Sequence, residues 1–134
     1  MKRPLSALAT LLALTVAAWA QQSVVVPTTE ASVLFGSTTT AITKIISAIS
    51  GQSIYLTQVT IKPANTSVVT LSYGSGTNCG TGTQAFYGPV TFGTGESIYL
   101  GNGAGALYVV PQSKDVCATV STAIAPGWIS YSMF

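Results

Sequence analysis

The apolar residues of this chain come in short groups separated by Gly, Pro, Ser and Thr, a rhythm typical of β-strands joined by turns. In the clearest case, SVVTLSY, the apolar Val69, Leu71 and Tyr73 alternate with hydroxyl-bearing residues. A period of two predicts a strand with one apolar face. Only residues 38–49 have a pattern that would also suit a helix. The predicted strands are 23–27, 39–47, 53–61, 67–73, 85–92, 97–100, 106–110, 116–121 and 127–134.

Eight or nine short strands, with turns about every ten residues, favour an all-β protein made of two packed antiparallel sheets. The pattern predicts a jelly-roll-like β-sandwich that forms one domain over residues 21–134. Serine and threonine are abundant in the predicted strands, and their hydroxyls suit the solvated face of a sheet without adding charge.

The first twenty residues have the pattern of a secretory signal peptide. Lys2 and Arg3 precede an apolar run over 5–18, and small residues end the segment, which predicts cleavage between Ala20 and Gln21. The apolar run is shorter than the roughly 20 residues of a membrane-spanning helix, so no stable membrane anchor is expected. The sequence therefore predicts export to the cell surface, the extracellular medium or a periplasm.

Residues 21–134 carry three lysines, no arginine and three acidic residues, so their formal charge cancels. Nucleic-acid binding needs clustered basic residues to neutralise phosphates, and we expect none here. Low charge also gives little repulsion between copies, which favours self-association or attachment to a surface.

The chain contains no histidine, which removes the commonest acid–base group and the commonest transition-metal ligand. Glu30, Glu96 and Asp115 are the available carboxylates, and each lies at a turn-like position far from the others in sequence. The Lys114–Asp115 pair is expected at a solvated hairpin tip. Because no two carboxylates are predicted to converge on a substrate, we expect a protein that is not an enzyme and needs no cofactor.

The glycine-rich stretch YGSGTNCGTGT, 73–83, raises the question of a phosphate-binding loop. Its glycines follow G-x-G-x-x-x-G-x-G, and neither a lysine nor a helical pattern follows, so it matches neither known phosphate-loop motif. Cys79 within it and Cys117 form an even pair in a chain predicted to leave the cytosol, which favours a disulfide. A metal site would need CxxC spacing or histidine partners. We therefore interpret the stretch as a long turn held by a disulfide.

Two aromatic residues flank predicted turns where exposure is expected, Tyr87 and Trp128, and these are the candidate ligand-facing residues. The alternative is that they fill the core with the other aromatic residues. Asn65 begins a glycosylation sequon in a predicted turn.

The segments GTNCGTGT, IYLGNGAGALYVVP, VCATVSTA and SYSMF together resemble a loosely defined group of small, β-rich, largely uncharacterised proteins from tailed-phage structural modules and bacterial genomes. The resemblance covers about residues 44–134 and implies virion or surface roles. The export signal departs from the virion examples and favours a secreted or surface protein. The resemblance implies scaffold roles, and no catalytic role, for Cys79, Gly101, Asn102, Gly103, Pro111 and Cys117.

These features predict a secreted, non-enzymatic structural or adhesive subunit. In one version QQSVVVP, 21–27, adds as a strand to the sheet edge of a neighbouring copy, with 28–32 as a linker. One alternative is a small carbohydrate-binding module that uses Tyr87 and Trp128. Another is a virion-associated structural protein.

Overall fold

The computed structural model describes residues 30–35, 41–63, 65–101, 105–122 and 127–134. These residues form nine strands and one 3-10 turn, Thr77–Cys79. The strands are β1 Ala31–Phe35, β2 Thr43–Ile46, β3 Ile54–Ile61, β4 Ser67–Ser75, β5 Thr81–Phe92, β6 Ile98–Leu100, β7 Tyr108–Val110, β8 Asp115–Val120 and β9 Gly127–Met133.

The strands form two antiparallel sheets. The five-stranded sheet has the order β1-β9-β3-β6, with β7 also on β3, and the four-stranded sheet has the order β2-β8-β4-β5. Strand β6 pairs with β3 at Val59–Ile61 and β7 pairs with it at Ile54–Leu56, so β6 and β7 are two pieces of one interrupted edge strand. Counted this way, eight strands pass back and forth between two sheets, which is the arrangement of a jelly roll. The predicted fold class is confirmed.

The core lies between the sheets and follows from the alternation seen in the sequence. In β3, for example, Ile54, Leu56, Val59 and Ile61 are buried, and a bulge between Leu56 and Gln58 shifts the alternation by one residue. Burying one such side chain stabilises the fold by about 1.5–3 kcal/mol. The buried apolar cluster consists of Ile46, Ile54, Leu56, Val59, Ile61, Val69, Leu71, Phe92, Val110, Val116, Ala118, Val120 and Ile129.

Two strand predictions and one linker prediction need correction. Within the described part of the segment 39–47, residues 41–47, the strand covers only Thr43–Ile46, and the strand predicted at 85–92 extends over Thr81–Phe92, twice the length of a typical strand, because it begins inside the glycine-rich stretch. Ala31 and Ser32, assigned to a linker, are the first residues of β1, whose ASVLF pattern gave a weak signal. The strand predicted at 23–27 lies outside the described residues, as does the cleavage site at Ala20–Gln21.

The sandwich has two open sides where edge strands face solvent. One side presents β1 and β2, and the other presents β5 together with β6 and β7. The outer surfaces of the two sheets point in opposite directions. They differ in which side chains they expose to solvent.

Candidate functional site

The outer surface of the five-stranded sheet, here called the open face, carries a row of side chains that crosses four strands. Trp128 of β9 pairs with Leu34 of β1 on one side and with Thr60 of β3 on the other, and Thr60 pairs in turn with Tyr99 of β6. Directly opposed residues of antiparallel strands share a face. We call this set, Leu34–Trp128–Thr60–Tyr99, the aromatic row.

The apolar members of the aromatic row are exposed to solvent. The exposed fraction is 74% for Leu34, 40% for Trp128 and 59% for Tyr99. Their chain neighbours point into the core, because Ile129 is fully buried and Ile98 packs against the core cluster. Since apolar side chains gain nothing from this exposure in the folded monomer, the row has the character of a contact surface.

A second set of side chains runs parallel to the aromatic row. Ser130 of β9 pairs with Ser32 of β1 and with Gln58 of β3, and we call this set the polar row. It lies two residues along the strands from the aromatic row, about 7 Å away. The two rows thus place hydroxyl and amide groups beside aromatic rings, and neither row contains a charged residue.

Further apolar groups lie on the same open face. Val109 of β7, 45% exposed, pairs with Tyr55 of β3, whose ring meets that of Phe134 edge-on with centroids 5.3 Å apart. The hydroxyl oxygen of Thr60, at the middle of the aromatic row, is enclosed and has no hydrogen-bond partner among the described residues.

Trp128 and Tyr87, the two residues predicted to face a ligand, do not share a surface. Trp128 is on the open face, whereas Tyr87 is half-buried on the inner side of β5. There it lines an apolar cavity of about 240 Å³ between the sheets, together with Val59, Leu71, Phe86, Leu100, Leu107 and Tyr108. The cavity opens at the side between the edge strands β5 and β6–β7.

Aromatic rings form one part of this cavity wall. Phe86 and Tyr108 stack with centroids 4.5 Å apart, and Tyr73 stacks against both. Burial raises the pKa of Tyr87 and that of Tyr108, for which the neighbouring Tyr73 adds to the effect. Both phenols are therefore neutral at ordinary pH. The lining residues that the structure describes include neither a carboxylate nor an amine.

The glycine-rich stretch lies on the outer surface of the four-stranded sheet. The predicted disulfide between Cys79 and Cys117 is confirmed, with Cα atoms 6.3 Å apart and both cysteines fully buried. Cys117 is in β8, so the bond holds the 3-10 turn against the sheet. A side chain at Gly74 would bring its Cβ to 2.7 Å from the Cys79 carbonyl oxygen, so the turn packs directly on the backbone of β4.

The connection between β4 and β5 is shorter than the long turn predicted over 73–83. Tyr73–Ser75 completes β4 and Thr81–Thr83 begins β5, which leaves residues 76–80 as the connection. Asn78 accepts a hydrogen bond from the backbone N–H of Lys44 in β2, at 3.4 Å. The turn thus contacts β2, β4 and β8 as a cover on this sheet.

Asp115 was predicted at a solvated hairpin tip, and this is wrong. It is 8% exposed at the start of β8, pairs with the Lys44 ammonium at 2.8 Å and accepts a hydrogen bond from the Ala48 N–H at 2.8 Å. Burial alone raises the pKa of Asp115, but the Ala48 hydrogen bond and the Lys44 charge outweigh burial and hold that pKa below its ordinary value. Lys114 instead donates to the Ser75 hydroxyl.

The other two carboxylates also have structural partners. Glu96 accepts from the Gly93 N–H at 2.6 Å within the turn before β6, and Glu30 accepts from the Thr57 hydroxyl of β3. The three acids therefore occupy three different parts of the fold. Among the described residues no group of three or more metal-ligating side chains comes together.

The residues given scaffold roles by the resemblance occupy varied positions. Gly101 has φ +100°, and a side chain there would collide with the Thr57 carbonyl, so glycine is required after β6. Pro111 is exposed directly after β7, and Asn65 of the sequon is also exposed. Asn102 and Gly103 lie outside the described residues.

Tyr99 was not singled out by the sequence as a ligand-facing residue. The alternation in Ile98–Leu100 contains the signal, because it places Tyr99 opposite to its apolar neighbours. Its pairing with Trp128 through Thr60 joins three segments that are distant in the chain, and no local pattern reveals it.

Within the described part of the chain, no helix is long and apolar enough to cross a membrane. No protein-family model, curated protein or solved structure matches the chain. The resemblance to phage-module proteins, and the virion role that it implies, stay predictions.

Proposed function

We propose that this protein is a non-enzymatic adhesive subunit that acts outside the reducing cytosol and binds an uncharged surface glycan through its open face. The observation that carries the proposal is the aromatic row, in which Trp128 and Tyr99 are exposed on the same sheet and in register. The signal-like segment 1–20 and the disulfide fit an exported protein.

The chemistry of the two rows suits a sugar. The apolar C–H face of a pyranose packs on the face of an aromatic ring, and its hydroxyls need neutral donors and acceptors at the side. The aromatic row supplies the rings and the polar row supplies Ser32, Ser130 and Gln58. Since neither row has a charge, a neutral glycan leaves no ion unpaired on binding.

A glycan array followed by calorimetry on each hit tests the proposal. We expect Trp128→Ala and Tyr99→Ala each to weaken binding about tenfold or more, because each removes one stacking surface. The control is Ile49→Ala, which removes an exposed apolar side chain, 54% exposed, from the β2–β3 connection. Absence of any array hit, or hits that both ring variants bind normally, would contradict the proposal.

A second candidate function is self-assembly by strand addition, which one specific observation favours. The β1 edge has five regularly paired residues with no charge, proline or bulge, whereas β2 contains Lys44 and a bulge and β5 contains Pro89. An edge without such features is an accepting site for another strand. The segment 21–27 of a neighbouring copy is the proposed donor.

Size-exclusion chromatography and electron microscopy of residues 21–134 and of 30–134 test self-assembly. We expect oligomers or fibres only for the longer chain, and expect Ser32→Lys, which places a charge at an exposed position of β1, to reduce assembly. Monomers for both lengths would rule out strand addition and leave glycan binding unaffected.

A further inference from the structure

We infer that the glycan is an extended chain of β-1,4-linked hexopyranoses that lies across the strands of the open face. This inference rests on the proposed function and specifies its ligand class. It is carried by the spacing, direction and twist of the aromatic row and by the neutrality of both rows.

The spacing comes from the strand register. Trp128 and Tyr99 are both joined to Thr60, so their strands are separated by two interstrand steps, roughly 9.6 Å. In an extended β-1,4-linked chain each sugar is turned over relative to the one before, so alternate sugars present the same face. The distance between alternate sugars is close to this strand separation, and the two rings can therefore stack on sugars one and three of a trisaccharide.

The direction of the row selects an extended chain. Leu34, Trp128 and Tyr99 lie on β1, β9 and β6, so the row runs across the sheet over an unbroken series of neighbouring strands. Leu34 continues the line beyond Trp128 by one strand. An α-1,4-linked glucan curves into a helix and would leave such a line after one ring contact, whereas an extended chain stays over it.

The twist of the sheet distinguishes a single chain from a crystalline surface. Neighbouring strands are rotated by about 20–25° relative to each other. The strands that carry Trp128 and Tyr99 are two steps apart, so they are rotated by about 45° about the direction of the row. A single glycan chain adjusts to this rotation by small changes in its linkages. A flat crystal face does not, and we expect soluble or swollen chains to be preferred.

The polar row and the lack of charge in both rows further restrict the class of glycan that fits the open face. Ser32, Ser130 and Gln58 run beside the aromatic row, where they face the hydroxyl-bearing edge of a chain seated on the rings. An acidic polysaccharide would meet no cation in either row. Glucan, mannan and N-acetylglucosamine chains, all neutral and β-1,4-linked, fit these groups.

Isothermal titration calorimetry with cellohexaose, chitohexaose and mannohexaose, and with maltohexaose as the α-linked comparison, tests the ligand class. We expect binding of at least one β-1,4-linked hexasaccharide and at least tenfold weaker binding of maltohexaose. Trp128→Ala and Tyr99→Ala are each expected to lower affinity for the β-linked sugar about tenfold.

A positional exchange tests the row itself. The double variant Tyr99→Val with Val109→Tyr keeps the composition and leaves both side chains on the open face, but places the ring opposite Tyr55 instead of Thr60. We expect it to lose β-1,4 binding as fully as Tyr99→Ala, with an unchanged circular dichroism spectrum. Retained affinity in the exchanged variant would overturn the inference.

Failure of the inference and failure of the proposed function give different results. If an array glycan binds in a Trp128-dependent way while none of the three β-1,4-linked hexasaccharides binds, the ligand class is wrong and glycan adhesion stands. Equal affinity for maltohexaose also overturns the ligand class. If no glycan binds at all, both are wrong.

Discussion

The two outer surfaces of this sandwich are built from similar strands but differ in how far they are covered. On the four-stranded sheet, the turn that contains Cys79 is bonded to β8 and packs on Gly74, and the Lys44–Asp115 pair lies beside it. On the five-stranded sheet, Trp128 and Tyr99 lie open to solvent. One surface is covered and cross-linked, whereas the other leaves large apolar groups uncovered.

The contrast separates the surface that stabilises the fold from the surface that we propose binds a glycan. The covered surface contains a disulfide, a partly buried ion pair and a hydrogen-bonded carboxylate, all of which raise the free energy of unfolding. The rings of the open face contribute less to folding, because 59% of Tyr99 and 40% of Trp128 stay in water in the folded chain. Changes to the covered surface should therefore alter stability, and changes to the open face should alter binding.

The largest effect is expected from removing the disulfide. Cys79 and Cys117 are 38 positions apart, and a cross-link closing a loop of that length contributes roughly 4 kcal/mol on the chain-entropy model. We expect Cys79→Ser with Cys117→Ser to lower the free energy of unfolding by about 2–4 kcal/mol in urea titrations. Glycan affinity of the folded variant should match that of the parent, because the bond lies on the opposite surface. An unchanged urea midpoint would contradict the assignment of stability to the covered surface.

A smaller loss is expected from Asp115→Asn. The change removes the ionic contact with Lys44 and weakens the hydrogen bond from Ala48, at a cost of about 1–2 kcal/mol. Urea titrations across pH measure it, with Glu96→Gln as a matched exposed carboxylate control.

The pH dependence has a definite sign. Because the folded pKa of Asp115 lies below its unfolded value, its contribution is complete above about pH 5 and is lost as pH falls through the folded pKa. The stability difference between parent and Asp115→Asn should therefore shrink in acid. A difference that grows as pH falls would show that the carboxylate is destabilised in the fold.

The smallest stability effect is expected on the open face. Tyr99→Ala removes a ring that is 59% exposed and should lower the free energy of unfolding by no more than about 1 kcal/mol, and Trp128→Ala, at 40% exposed, should cost somewhat more because the sheet covers more of its ring. The same variants should lose glycan binding. A loss of several kcal/mol in thermal or urea unfolding would mean that the rings support the fold, and the contrast between the two surfaces would no longer hold.

Much of the fold could be predicted from the sequence because its signals are local. The alternation of Val69, Leu71 and Tyr73 predicts an inward face, and the even cysteine pair in a chain predicted to be exported predicts the cross-link. The predictions are wrong where a local pattern is weak or where partners distant in sequence override it. The ASVLF pattern of β1 has no clean period, and Asp115 is buried only because Lys44 and Ala48 of another segment pair with it.

The candidate site was predicted only in part for the same reason. A position beside a predicted turn predicts exposure for both Trp128 and Tyr87, but only Trp128 is exposed, whereas Tyr87 lines the inner cavity. The bulges that interrupt the β4–β5 pairing leave both Phe86 and Tyr87 on the cavity side, which strict alternation does not allow.

A disulfide-linked β-sandwich can be predicted from the sequence alone, because strand alternation and cysteine parity are properties of residues read in order. The common row of Trp128 and Tyr99 is visible only in the folded chain. Their relation passes through Thr60 and depends on the register of β9 and β6 on β3, which long-range pairing and a bulge fix together. A shift of one residue in either register would turn one ring toward the core, and no local pattern specifies that choice.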